Sequence, residues 1–263
     1  MLLFLIVLGH LGNIPDSIRW LLAPTDILYV SAFFFLSGWL FRKEKYSFKA
    51  FALRKTQTLL IPYIAISILI SLLDWNLYLH PLSYLEDFLP RLLYGDGAAK
   101  ASTLWFVSTL YAANVMLKGL YMVKNRWLRD VVFYSLPFFC YYLYFRDIRL
   151  QLRMDSALGA CFIMFFSQEV RLWSTNRAYK WVLFAVSLVL LVIGLYLKVG
   201  LLNYNTIHSI YSFPCAIGGC IVITCIFKKL LNKYITPPHM DCTKWPAYIR
   251  ITLPIVVLCG RLL

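Results

Sequence analysis

The chain has 263 residues, of which 61% are hydrophobic, 17% aromatic and 14% charged, and its mean hydropathy is +0.70. One water-soluble domain cannot bury that much apolar surface, so the composition excludes it and indicates an integral membrane protein. The net charge of +14 does not imply nucleic acid as a partner: the cations stand in short clusters between apolar runs, where membrane topology accounts for them, and nothing resembles a module that reads RNA or DNA.

The first apolar segment, residues 1–11, is about half the roughly 20 residues that a spanning helix needs, so it is expected to be re-entrant or to lack its beginning. It has neither the positive leading region nor the small-residue cleavage site of a signal peptide. The second segment, 26–41, ends in FFFLSGWLF and runs into Arg42, Lys43, Lys45, Lys49, Arg54 and Lys55, with Glu44 as the one acid. The third, 58–73, follows as LLIPYIAISILISLL from position 59. Two apolar segments joined by that many cations form a hairpin whose turn stays on the cytoplasmic side.

An outer loop follows with Asp74, His80, Glu86, Asp87, Arg91, Asp96 and Lys100. The fourth segment, 103–121, begins at Leu104-Trp105-Phe106 and leads to Lys124, Arg126 and Arg129. The fifth, 131–145, reaches an outer loop with Arg146, Asp147, Arg149 and Arg153. The sixth, 155–173, descends to Arg177 and Lys180, the seventh, 181–199, rises to Asn203 and Asn205, and the eighth, 207–227, descends to Lys228, Lys229 and Lys233. Residues 248–263 start a ninth. The expected fold is one membrane-embedded domain over 1–263, an all-α polytopic bundle of about eight spanning helices with short first and last segments. No internal repeat is visible.

Charge tests this alternation. The predicted inner side carries six cations in 42–55, four in 118–129, three in 171–180 and five in 228–250, eighteen of the 26 in the chain. Arg146, Arg149 and Arg153 run against the bias; they meet either headgroups and water or an anionic substrate such as a sugar phosphate. Tryptophans and tyrosines such as Trp20, Trp75, Tyr78, Trp127, Trp173 and Trp181 sit near segment ends as an interfacial belt. Cys140, Cys161, Cys215, Cys220, Cys225 and Cys259 lie in apolar stretches without any CxxC pair. The steps of five from Cys215 to Cys225 turn each thiol about 140° from the last, so these are packing residues and no metal site is expected.

His10 ends an apolar run, where an ionisable group is a functional candidate unless it sits at the interface. Asp26, Trp105, Asp155 and His208 open descending segments at the same outer level. A histidine oriented by a carboxylate can take the proton of a sugar hydroxyl; the alternative for Asp26 and Asp155 is helix N-capping. On the inner face Arg42, Lys43, Arg54 and Lys55 can grip the phosphates of a nucleotide-like donor. Glu169, near the inner end of the sixth segment, is read as a partner of Arg171 or Lys180.

Together, IVLGH at 6–10, FFFLSGWLF at 33–41, LLIPY at 59–63, LWF at 104–106 and DSALGACFIMFF at 155–166 resemble the acyltransferase type 3 family, and within it the fucose 4-O-acetylase-like branch. The resemblance implies a multipass enzyme of the cell membrane, in bacteria the cytoplasmic membrane, that moves an acyl group from acetyl-coenzyme A to a hydroxyl of a cell-surface glycan or a lipid-linked sugar. It implies that His10 is catalytic, as general base; Asp155, from its level in the segments, is the expected catalytic carboxylate. Arg42, Arg54, Lys55 and Tyr63 would then serve the donor, and Asp26, Trp105 and His208 the acceptor. Family members carry a charged stretch before the histidine run, a basic residue where this chain has Thr58, and final segments that find no match here, so a truncated member is expected. Two other classes stay open, an inactive or partner subunit and a polysaccharide or lipid-carrier transporter. Against the latter, Pro62, Pro137 and Pro214 do not break helices in matching places of two halves.

Overall fold

The structure, a computed structural model, describes residues 30–98, 104–173, 177–196 and 210–234. Every regular element among them is helical: α1 (Val30–Leu40), α2 (Phe48–Leu72), α3 (Trp75–Leu79), α4 (Pro81–Tyr94), α5 (Trp105–Leu120), α6 (Arg126–Phe145), α7 (Met154–Trp173), α8 (Arg177–Tyr196) and α9 (Ser212–Tyr234). A single 3₁₀ turn, Gln151–Arg153, precedes α7. The first and ninth expected segments lie outside the described residues, as do His10, Asp26 of the second segment and His208 of the eighth.

Several boundaries differ from the sequence reading: α8 already begins at Arg177, and α9 starts at Ser212 and runs on to Tyr234, so Lys180, Lys228, Lys229 and Lys233 belong to helices. Helix α2 begins at Phe48, so Lys49, Arg54 and Lys55 belong to the helix and the turn is only 41–47. Ser47 caps it by accepting a hydrogen bond from the Ala50 N–H at 3.4 Å, and unbranched Lys and Arg side chains lose little freedom in a helix. Helix α6 likewise starts at Arg126 behind the Asn125 cap, whose side chain accepts from the Leu128 N–H at 3.3 Å. Finally, most of the outer loop is helical, as α3 and α4.

Pro62 leaves α2 continuous for a definable reason. A proline cannot donate to the carbonyl four residues back, and its ring crowds that carbonyl. The preceding turn, Thr56–Leu60, widens to a π-helical one in which the Ile61 N–H reaches the Thr56 carbonyl. The helix passes the proline without ending.

Helix α7 is the centre of the bundle. Ser156, Ala157, Gly159, Ala160, Cys161, Ile163, Met164, Phe165 and Ser167 are all buried, on every side of the helix. It packs on α5, α6 and α9, and Phe165 stacks on Phe133 of α6 with ring centroids 3.9 Å apart. Small residues let the backbones approach. A Cβ on Gly38 of α1 would collide with the Met164 backbone, and one on Gly159 would stand 2.6 Å from the Phe213 ring of α9. Cys140, Cys161 and Cys220 fill the same core as small apolar side chains.

The bundle buries some polar side chains within its apolar core and turns large apolar ones outward. Ser67, Ser71, Ser108, Thr109, Asn114 and Ser167 are buried; the Ser71 hydroxyl donates to the Ser67 carbonyl (2.9 Å) and the Thr109 hydroxyl to the Trp105 carbonyl (2.8 Å) of their own helices. Large apolar side chains face outward: Ile61, Ile68 and Leu69 on α2, Phe138 and Phe139 on α6, Val182, Val189 and Val192 on α8. Hydrocarbon is the solvent such a surface suits. Among the described residues, Phe48–Leu72 and Tyr179–Tyr196 are long and apolar enough to cross a bilayer, and Val30–Leu40 and Ser212–Ile226 are shorter apolar helices.

Gly38→Val is expected to destabilise the detergent-solubilised protein by roughly 1–3 kcal/mol or more, read as a lower thermal unfolding temperature. Gly119→Ala, where the nearest neighbour would be the Phe48 ring at 3.7 Å, is expected to leave it unchanged or raise it slightly.

Candidate functional site

At the end of the bundle where α5 and α7 begin, two loops are locked together. Gly95 and Gly97, with φ of 90° and 74°, turn the chain back after α4. Gly95 lies so close to the backbone of Leu152 that a Cβ would stand 3.0 Å from it. The Tyr63 hydroxyl donates to the Leu92 carbonyl at 3.1 Å and accepts from the Gly97 N–H at 3.0 Å, while the Ser108 hydroxyl reaches the Gly95 carbonyl at 2.7 Å. These bonds hold out Asp96.

Asp96 meets Arg153 at 2.9 Å and Arg149 at 3.9 Å. The Arg153 side chain is only 5% exposed, and its guanidinium also lies 4.0 Å from Asp155 and 5.7 Å from the centre of the Trp105 ring. Burial pulls that guanidinium below its ordinary pKa, and the two facing aspartates act in the opposite sense. Asp155 accepts hydrogen bonds from the Leu150 N–H and the Ser156 hydroxyl, each at 3.3 Å. The loop is also strained: Asp147, Leu152 and Arg153 have φ of 51°, 52° and 54°, which costs on the order of 1–3 kcal/mol each for ordinary residues. Ion pairs that fix Arg153 from two sides offset that cost.

At the opposite end lies a cavity of about 960 Å³. Arg42, Lys43 and Lys45 line it from the turn after α1, Arg126 and Arg129 from the start of α6, and Arg171 from the end of α7. Glu44 and Glu169 are its acids, so its lining carries an excess of four positive charges. Its wall is fixed: the Tyr121 hydroxyl donates to Gln168 Oε1 at 3.0 Å, Arg129 lies 5.2 Å from the centre of the Tyr121 ring, and Arg171 donates to the Trp39 carbonyl at 3.0 Å. The volume is that of a ligand site, and guanidinium groups at its rim match phosphate oxygens.

The sequence-predicted residues divide between the two ends. Tyr63, Trp105 and Asp155 come together at the Asp96–Arg153 junction, and Arg42 lines the cavity. Arg54 and Lys55 do not line it; Arg54 hydrogen-bonds the Tyr46 hydroxyl and Lys55 lies 5.6 Å from the Phe51 ring centre. His10, Asp26 and His208 lie outside the described residues. Sequence reasoning did not single out Asp96, Arg126 or Arg129, nor Arg153 as a buried hub. A signal for Arg153 was present in the three arginines that run against the charge bias. Asp155 and Arg171 are sixteen positions apart on α7, so the two ends stand about 24 Å apart at 1.5 Å per residue.

A family model described as an acyltransferase domain matches residues 1–250 of the chain. No curated protein and no solved structure matches it.

Asp96→Asn is expected to destabilise the solubilised protein by roughly 3 kcal/mol, because it leaves the buried Arg153 charge short of its nearest partner. Arg149→Ala, a half-exposed member of the same cluster, is expected to change stability by less than about 1 kcal/mol. Thermal unfolding of both variants beside the parent checks the contrast.

Proposed function

Since the chain belongs to the acyltransferase type 3 family of membrane acyltransferases, we propose that it moves an acyl group, acetyl above all, from acyl-coenzyme A to a hydroxyl of a cell-surface polysaccharide or its lipid-linked precursor. The family match supports acyl transfer. The observation that carries the donor assignment is the cation-lined cavity of about 960 Å³ at one end of the bundle. Phosphates of a coenzyme A thioester suit Arg42, Arg126, Arg129 and Arg171, and the cationic end is the cytoplasmic one by the positive-inside rule. Cytoplasm is also where acyl-coenzyme A is found.

In this reading His10, whose role rests on the motif resemblance, takes the proton of the acceptor hydroxyl on an imidazole nitrogen. The alkoxide oxygen attacks the thioester carbonyl, the carbon–sulfur bond breaks, and the coenzyme A thiolate leaves and regains a proton. The junction of Asp96, Arg153, Trp105 and Asp155 faces the acceptor side, with Trp105 offering an aromatic surface to a sugar ring. The proposed setting is a multipass bundle of about eight spans in a bacterial cytoplasmic membrane; the two helices long and apolar enough to span, α2 and α8, and the shorter apolar stretches of α1 and α9 support it.

Replacing Arg42 and Arg126 by Glu is expected to raise KM for acetyl-coenzyme A at least tenfold with a much smaller change in kcat, since phosphate contacts far from the reacting carbonyl contribute binding that is uniform between ground and transition states. Steady-state kinetics in proteoliposomes check it; an unchanged KM removes the cavity as donor site. His10→Ala at matched expression is expected to abolish O-acetylation of surface polysaccharide that the parent chain supports, and acetylation that persists removes His10 as the base.

A further inference from the structure

Helix α4 has three distinct faces. At about 100° per residue, Tyr84, Phe88 and Leu92 share one arc, and Phe88 is buried on it. This is the side that packs on the protein, against the turn Gln151–Arg153. Glu86, Asp87 and Arg91 lie on the remaining arc, with Arg91 paired to Asp87 at 2.7 Å in an exposed bridge one turn apart. Leu82, Leu85, Leu89 and Leu93 fill an arc of about 80° between them, and they are 78%, 43%, 53% and 62% exposed. A leucine stripe that the described residues leave exposed, bordered by a charged face, suits a different apolar neighbour.

The stripe is continuous with the surface already assigned to lipid. The outward face of α2 ends at Leu72 and Leu73, and the chain then presents Trp75, Tyr78 and Leu79 on α3, all more than half exposed, before reaching Leu82. Tryptophan and tyrosine are the side chains that settle at the boundary between hydrocarbon and headgroups. A second copy of the chain is a poorer neighbour: four leucines a side fall well short of the roughly 1,200–2,000 Å² that a stable protein interface buries.

We propose that α3 and α4 form an arm lying flat in the lipid–water interface of the bilayer at the end opposite the cationic cavity, leucines toward the acyl chains and Glu86, Asp87 and Arg91 toward water. The arm runs without a linker into the junction. Gly95 ends α4 in a left-handed conformation, its N–H bonding the Arg91 carbonyl at 3.0 Å, and the Asp96 N–H bonds the same carbonyl at 2.9 Å. The depth of the arm therefore fixes the level of Asp96 relative to the membrane surface. The inference rests on the membrane reading of the bundle and not on acyl transfer.

The test uses nitroxide side chains introduced one at a time through Leu85→Cys, Leu89→Cys, Ser83→Cys and Asp87→Cys in the full chain in liposomes, with the unsubstituted chain as labelling control. Collision with dissolved oxygen, which concentrates in lipid, and with a water-soluble nickel chelate is read at each site. Positions 85 and 89 are expected to be open to oxygen and at least fivefold less open to nickel than 83 and 87. Nickel access at 85 and 89 equal to that at 83 and 87 overturns the proposal. So does exclusion of both reagents there, which would mean that protein covers the stripe.

Discussion

The close approach of backbones around α7 sets where both ends of the molecule stand. In a bilayer the hydrophobic effect does not drive helices together, and contact depends on small residues that allow dense packing. Gly38 against Met164, and Gly159 against Phe213, are such contacts, and they hold α1 and α9 to a helix buried on every side. Because α7 is one unbroken rod from Asp155 to Arg171, whatever is built at its two ends is kept at a fixed separation. The Asp96–Arg153 junction stands at one end and the cationic cavity at the other.

That separation gives the proposed reaction its form. In the proposed reading the coenzyme A thioester sits by Arg42, Arg126, Arg129 and Arg171 and the sugar hydroxyl beside Trp105, about 24 Å apart along α7. The acyl carbon has to travel along the bundle to meet the acceptor. A rigid junction suits the proposed acceptor end: the positive-φ backbone at Leu152 and Arg153 lies where Asp96 and Asp155 hold the guanidinium from two sides.

Much of this was legible in the sequence, and the remainder was not for physical reasons. Hydropathy and charge clusters locate helices because burial in lipid requires long apolar stretches, and α1, α5, α7 and α8 fall within a few residues of their expected bounds. In the outer loop Pro81, Pro90 and the charges of α4 break up the hydropathy, although its leucines recur at helical spacing. Lys49, Arg54 and Lys55 looked like a turn because topology explains cations without regard to conformation. Tyr63, Trp105 and Asp155 were singled out separately, yet nothing in one dimension reveals that Arg153 joins them, since its partner Asp96 is 57 positions away. The cationic cavity is likewise assembled from three separate stretches of chain.

The most direct measurement uses sealed right-side-out membrane vesicles containing the protein, loaded inside with acetyl-labelled acetyl-coenzyme A and supplied outside with an acceptor polysaccharide that cannot cross the membrane. The account predicts that label appears on the outer acceptor in ester linkage and that it requires an intact vesicle population with donor inside. Labelling that occurs only when donor and acceptor share one side would contradict it, since the two sites would then not lie at opposite ends of the bundle.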